Sequence, residues 1–454
     1  MALTPSPEGI RDVLLAAGIE VTPGTPRLLT GGASREVWSI DARDARGALV
    51  PLILRRDPPG HGDAVRMRAE AACLRAAAAA GVPVPTVLAE GATAPGIDAP
   101  FLLMNRVPGE ALPRRIQRDP VFADVRPGLA EEMGYVLGLV HRSDITTLDT
   151  LDRTDPVDVI EALYRDLDAP RPAVELGLRW LRAHRPPARP TALVHGDFRL
   201  GNLLVDPDGI RGVLDWELAH LGDPIEDLGW LCVRAWRFGA PDPVAGLGSR
   251  EQLLDGYFRA TGVRPGADEL HWWETFGTLK WLVVSAFQAH RHFGGSEPSL
   301  ELAAIGRRIC ESEFDLLLIL GLLDEAPAAR PRPPRPTLHD RPTPAEILDL
   351  VAATLTDDIA PAVADGHDRE RYLLRICVNL LRTATRELAV DRADDDHLTG
   401  LLDALGCADE ADLAHRLRTG DADAADPAVR RAVSAAVLAR LRVANPRHLP
   451  RRPV

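Results

Sequence analysis

The chain has 454 residues, 46% of them apolar, and a formal charge of -13. That length buries a full core and allows two or three domains, while the acidic balance argues against the clustered basic surface that a broad nucleic-acid footprint needs. No apolar run reaches the roughly eighteen residues of a membrane span, the N-terminus lacks a secretory pattern, and the five scattered cysteines form no CxxC pair, so a cytoplasmic protein without disulfide framework or zinc site is expected.

Extended, turn-bounded runs and one long helical segment fill the first hundred residues. VWSID, ending at Asp41, and ALVPLILRR, ending at Arg56, read as strands because apolar and branched residues dominate and turn formers bracket them. DAVRMRAEAACLRAAAAAG reads as a helix opened by Asp63 and stopped by Gly81. PVPTVLAEG and APFLLMNRV add two strands, giving a small sheet that carries one helix.

From about residue 110, apolar residues recur at helical spacing in EEMGYVLGLVHRS, VIEALYRDL, VELGLRWLRAH, REQLLDGYFRATG and TFGTLKWLVVSAFQAHRHF. Residues 324–344 hold seven prolines and no such periodicity, which marks a linker stiffened toward polyproline II. Thr343, Pro344 and Glu346 then form a capping-box start, and Ile347, Leu350, Val351, Leu355 and Ile359 follow at helical spacing. The expected organisation is a β-rich lobe over 1–106, a helical lobe over 107–323, a linker over 324–343 and a separate all-helical domain over 344–454.

The helical pattern is interrupted by HGDFRLGNLLVDPDGIRGVLDWE, residues 195–217. LVHGD brings a strand-like run to a turn at Gly196 and leaves Asp197 at its end; Asn202 returns five residues later, and Asp215 thirteen after that. Phosphoryl transfer from a nucleotide asks little covalent chemistry of a protein. It needs a carboxylate to orient the attacking hydroxyl and accept its proton, and oxygens to hold magnesium. A hairpin of this length returns Asp215 beside Asn202, where a hard cation takes both oxygens. Each residue alone is an ordinary turn former; the three in this order point to chemistry.

LTGGASREVWSI, from Leu29 to Ile40, fits a glycine-rich hairpin closing over phosphates, with Gly31 and Gly32 admitting backbone N–H groups and Ser34 contacting an oxygen. In PLILRR, strand parity does not choose between Arg55 and Arg56, because Pro51 and Ile53 share one face while Leu52 and Leu54 share the other. Glu70 lies among Met67, Cys73 and Leu74 on an apolar helix face, where a carboxylate is expected to be ion-paired.

HGDFRLGNLLVD followed by GVLDWELAHLGDPIEDLGWL resembles the aminoglycoside phosphotransferase family, relatives of the protein kinases, and is most similar to the kinase-like domains found alongside acyl-CoA dehydrogenases. The likeness covers roughly residues 25 to 320. It implies an α+β, bilobal protein-kinase-like fold, with a small β-rich lobe and a larger helical lobe, and ATP and Mg2+ as cofactors. By the family pattern, Asp197 is the catalytic base, Asn202 and Asp215 are magnesium ligands, Asp227 in GDPIEDL braces the catalytic loop, and His195 holds a structural position in it. Glu217 also matches, with its role open. Aligning LILR with the strand that carries the family's lysine selects Arg55, with Glu70 as its partner. Arginine offers a planar fork where lysine offers a point charge, but Lys280 is the only lysine among 53 basic residues, so the exchange carries less information than usual. MNRVPGE, from Met104 to Glu110, takes the hinge, where the backbone around Met104 and Arg106 would face the nucleotide base. HDRPTPAEILDLVAATL and LRVANPRHL resemble a helical domain of unknown function that accompanies such phosphotransferases.

Trp236, Trp272 and Trp273 are the candidates for an acceptor pocket. A polycationic aminoglycoside would need a strongly acidic pocket. LCVRAWRFGAPDP instead mixes arginine, tryptophan and proline, which tilts the expected acceptor toward a neutral or anionic hydroxylated metabolite of hydroxyacyl type. The expected activity is ATP-dependent transfer to a small-molecule hydroxyl, with no nucleic-acid or membrane partner and with homodimerisation through the tail domain. Two rivals stay open: a pseudokinase module that binds nucleotide and recruits a partner, and an aminoglycoside resistance kinase.

Overall fold

A computed structural model describes residues 4–29, 35–60, 62–323, 343–364, 367–389 and 393–449. Gly31, Gly32 and Ser34 of the expected nucleotide loop, and nearly all of the proline-rich linker, lie outside the described residues. The chain divides into two compact units, Met1–Asp155 with Pro186–Glu274, and Pro156–Arg185 with Thr275–Val454. Among the described residues, no helix is long and apolar enough to cross a membrane.

The first unit opens with helix α1, Pro7–Ala16, and an antiparallel sheet of β1 (Val21–Pro23), β2 (Arg27–Leu29), β3 (Glu36–Asp44), β4 (Leu49–Arg56), β5 (Val87–Gly91) and β6 (Phe101–Asn105). The sheet order is β1-β3-β4-β6-β5, with β2 also on β3. Helix α2, Ala64–Ala79, follows β4 and starts as expected at Asp63, whose carboxylate accepts the N–H groups of Val65 and Arg66. A curled sheet carrying one functional helix therefore matches the expectation. Helix α1 was not anticipated. Ser6 caps it by accepting the Gly9 N–H at 2.9 Å, and Ile10 and Leu14 bury against Trp38, Ile40, Leu52, Leu54, Phe101 and Leu103 on one sheet face.

That packing explains why parity along β4 was uninformative. The face bearing Leu52, Leu54 and Arg56 is core, while the face bearing Ile53 and Arg55 is half-buried, so apolar residues occur on both.

The rest of this unit is built on the helices Leu129–His141, Ile225–Cys232 and Arg250–Thr261 and two small two-stranded sheets. The strand before the turn at Gly196, β7 (Ala192–Val194), pairs with β10 (His220–Gly222), and β8 (Leu203–Asp206) pairs with β9 (Gly209–Val213). The hinge is clamped onto β8 in both directions: Glu110 donates its N–H to the Val205 carbonyl at 2.8 Å, and Val205 donates to Glu110 at 3.0 Å. Gly109 permits the approach, since a Cβ there would stand 2.9 Å from that of Leu204.

In the second unit, the helices Pro172–Ala183 and Ile309–Ile319 pack with Glu410–Thr419 and Pro427–Ala444. Leu176, Phe314, Leu317, Leu413, Val433 and Val437 share one core. Two buried glutamates stitch it together. Glu175 accepts Arg165 at 3.0 Å and Arg418 at 2.9 Å, and Glu313 accepts Arg171 at 3.1 Å and Arg440 at 3.2 Å.

This packing differs from the organisation expected from sequence, which divided the chain at residue 344: helices on both sides of the linker bury their apolar stripes in a common core. The Thr343–Glu346 capping box forms with both of its bonds. Of the periodic residues behind it, Ile347, Leu350, Val351 and Ile359 are exposed.

Candidate active site

The loop after β7 turns at Gly196, whose φ of +79° and tight surroundings suit glycine alone: a Cβ would lie 2.4 Å from the Leu218 carbonyl oxygen. Asp227, fully buried on the first turns of the helix Ile225–Cys232, braces this turn. Its carboxylate accepts the N–H of His195 at 2.7 Å and of Gly196 at 2.9 Å, and His141 Nε2 stands 3.2 Å away. Burial alone would raise the Asp227 carboxyl, but the hydrogen bond and charge of His141, with the contribution of His195, hold it below the ordinary aspartate value.

His195 is buried and works with both ring nitrogens. Nδ1 accepts the N–H of Asp197 at 3.2 Å, which leaves Nε2 as the donor to the Leu214 carbonyl at 3.0 Å. One imidazole thus ties the residue carrying Asp197 to the residue preceding Asp215. The Leu214 N–H closes the circuit on the Asn202 carbonyl at 2.8 Å. Asp215 itself takes a left-handed conformation, φ +67°, which aspartate tolerates better than most side chains.

Three side chains converge on Asp197. Asn202 Nδ2 donates to its Oδ2 at 2.7 Å and to its backbone carbonyl at 2.9 Å, Trp230 Nε1 donates to Oδ1 at 3.0 Å, and Arg199 Nε lies 3.0 and 3.2 Å from the two oxygens. The Arg199 guanidinium rests over the Trp236 ring at 5.0 Å.

Across from them, Arg55 donates through Nη1 to Glu70 and through Nη2 to Asp215 Oδ1 at 3.2 Å. Arg56 turns the other way. It is 1% exposed, donates to Glu36 at 2.6 Å and to the Ile97 carbonyl at 2.8 Å, and is structural.

The structure therefore brings together Asp197, Asn202, Asp215, His195, Asp227, Arg55 and Glu70. Met104 is buried in β6, opposite Ile53. Arg106 donates its N–H to the Pro51 carbonyl at 2.9 Å, and its side chain reaches Ser39 and Asp41. Trp272 and Trp273 are core residues meeting edge to face at 4.7 Å. Sequence reasoning passed over Arg35, His141, Arg199 and Trp230. A signal existed for two of them: Arg199 shares the catalytic loop, and Trp230 lies three residues after Asp227 on one helix face.

For a divalent cation, the donor set is two oxygen ligands. The Asn202 amide nitrogen is engaged with Asp197, which leaves the amide oxygen as its metal-binding atom, and Asp215 is partly exposed. Among the described residues no cluster of three or more His, Cys, Asp or Glu forms a preassembled cage. A pair of protein oxygens suits magnesium, which keeps water and phosphate oxygens as its other ligands.

Residues 25–273, more than half of the chain, match the family model described as the phosphotransferase enzyme family, and residues 364–448 match a domain of unknown function, DUF6285. The chain is 32% identical over 259 residues to acyl-CoA dehydrogenase family member 10 of Mus musculus, covering 52% of this chain and 24% of that protein. It is 28% identical over 276 residues to acyl-CoA dehydrogenase family member 11 of Rattus norvegicus, covering 54% and 34%. The match thus spans about a quarter to a third of the length of these relatives. A solved structure of a candidate aminoglycoside phosphotransferase from Ralstonia eutropha shares the fold at a TM-score of 0.57 and 20% identity, covering 70% of this chain and 98% of that one.

Proposed function

Because the chain belongs to the phosphotransferase enzyme family, we propose that it moves the γ-phosphoryl group of ATP to a hydroxyl of a small-molecule metabolite. The observation that carries this reading is the His195 circuit, in which one buried ring fixes the position of Asp197 relative to the strand end that delivers Asp215. Asp197 accepts the proton of the attacking hydroxyl while Asn202 and Trp230 fix its two oxygens. Asn202 and Asp215 would hold magnesium, which supplies charge neutralisation on the phosphates. Arg55, anchored on Glu70, turns its second nitrogen toward the phosphate tail. Catalysis is then mostly positioning and electrostatics.

The Arg199 guanidinium beside Asp197 favours an anionic or neutral acceptor over a polycation, which weighs against the resistance-kinase reading. The names of the curated relatives support an acyl compound bearing a hydroxyl. The pseudokinase reading has one observation in its favour, the arginine at 55 already paired to Asp215. A cytoplasmic location and a homodimer through the C-terminal helices belong to the same proposal; the exposed Ile347, Leu350 and Val351 support the second.

The test is transfer of labelled phosphate from ATP-Mg into metabolite pools, with Asp197→Asn as control. Transfer by wild type and a loss of roughly 100-fold or more in the variant is the expected result. Equal silence of both proteins, with ATP still bound, favours the pseudokinase.

A further inference from the structure

Glu70 holds two guanidiniums at once, one on each oxygen. Arg55 Nη1 donates to Oε1 and Arg35 Nη1 donates to Oε2. Arg35 is itself fixed from behind: its Nε donates to Asp57 Oδ1 at 2.9 Å, and Asp57 Oδ2 accepts the N–H of Asp63, the N-cap of α2, at 2.8 Å. The side chains of Arg35 and Asp57 are each 9% exposed and that of Glu70 1%. Burial opposes the charge on Arg35, but Glu70 and Asp57 outweigh it and hold the guanidinium above the ordinary arginine value.

A guanidinium facing a carboxylate closes into a two-bond fork when both oxygens are open to it. Arg55 does not do so. Only its Nη1 reaches Glu70, and Nη2 continues to Asp215 at 3.2 Å. The oxygen that a fork would require is taken by Arg35. We infer that Arg35 is a positioning residue for nucleotide binding: by occupying Oε2 of Glu70 it blocks the Arg55–Glu70 fork and keeps Nη2 of Arg55 turned toward the phosphate side of the site. The inference rests on the role proposed above for Arg55. It also gives the second arginine a reason to accompany the first. A lysine at 55 has a single nitrogen and forms no fork, so nothing would have to be blocked.

The experiment is a double-mutant cycle on the full chain, read as affinity for a fluorescent ATP analogue with magnesium, with chemical denaturation of every variant in parallel. Arg35→Met keeps the apolar stem and removes the donors. With Arg55 present it weakens nucleotide binding roughly tenfold, the worth of one charge-assisted hydrogen bond. In the Arg55→Lys background the same change shifts affinity less than about twofold, because a single ammonium forms no fork. Arg35→Lys returns one nitrogen to Oε2 and stays within about threefold of wild type, since the block is restored. Equal losses in the two backgrounds overturn the inference, as does unchanged binding in Arg35→Met. Where Arg35→Met does not fold, Arg35→Lys decides, and a loss of about tenfold there overturns it. A wild-type chain that binds no nucleotide fails at the earlier step and removes the role of Arg55 itself.

Discussion

Trp230 donates its indole N–H to Oδ1 of Asp197 at 3.0 Å, opposite the Asn202 amide on Oδ2 at 2.7 Å. The carboxylate is thereby held from both ends, and the residue that holds one end stands on the same helix as the brace Asp227.

Trp230→Phe keeps the ring and removes the donor. Turnover is expected to fall roughly tenfold, as for loss of one hydrogen bond to a charged group, with nucleotide affinity unchanged. Single-turnover ATP consumption against fluorescent-nucleotide titration checks the split; an equal fall in affinity would assign Trp230 to the fold instead.

Adjacent arginines on β4 should behave as opposites. Arg56→Met leaves Glu36 without its cation and empties a buried position over Trp38, so stability should drop by about 3 kcal/mol or more while the folded fraction still binds nucleotide. Arg55→Ala should cost little of that stability and most of the nucleotide affinity. Urea denaturation and nucleotide titration on the same samples distinguish them.

Gly196→Ala combines a left-handed backbone with a Cβ placed 2.4 Å from the Leu218 oxygen. A cost of about 3 kcal/mol is expected from the sum of conformational strain and displaced backbone. Thermal unfolding reads it, and a shift within error of wild type would mean that the turn can open without penalty.

Acid should destabilise the chain through at least two carboxylates. Asp227 and Glu313 both lie below their ordinary values of 3.8 and 4.5 despite burial, Glu313 because Arg440 and Arg171 flank it. A depressed folded-state value means the unfolded state takes up protons first. The stability these groups contribute is therefore complete above the ordinary values and is lost as pH falls through the lower, folded ones. Denaturation midpoints measured downward from about pH 5 should decline, and the decline should be shallower in Asp227→Asn, whose side chain no longer titrates.

The legible parts of the molecule were those whose signal is local. Asp63 as a cap, the Thr343–Glu346 box, the strands of the sheet and the order of Asp197, Asn202 and Asp215 each rest on residues a few positions apart. Arg35 was invisible because its partners lie 22 and 35 residues away, and nothing in SRE distinguishes an anchor from a solvated charge. Helix α1 was missed because its burial is supplied by a sheet not yet formed at that point in the chain. The union of residues 156–185 with the C-terminal helices was hidden for the same reason: amphipathic stripes state that a partner exists, not which one.

The guanidinium at 55 also has a chemical consequence. Reagents that profile nucleotide-binding enzymes by acylating a lysine beside the phosphates depend on a free amine, and on the proposed reading the group in that place is an arginine. The single lysine side chain, Lys280, stands on the helix Ala267–Phe293. On that reading the position beside the phosphates offers such a reagent no amine, and a lack of labelling there would report the chemistry of one side chain, not the absence of activity.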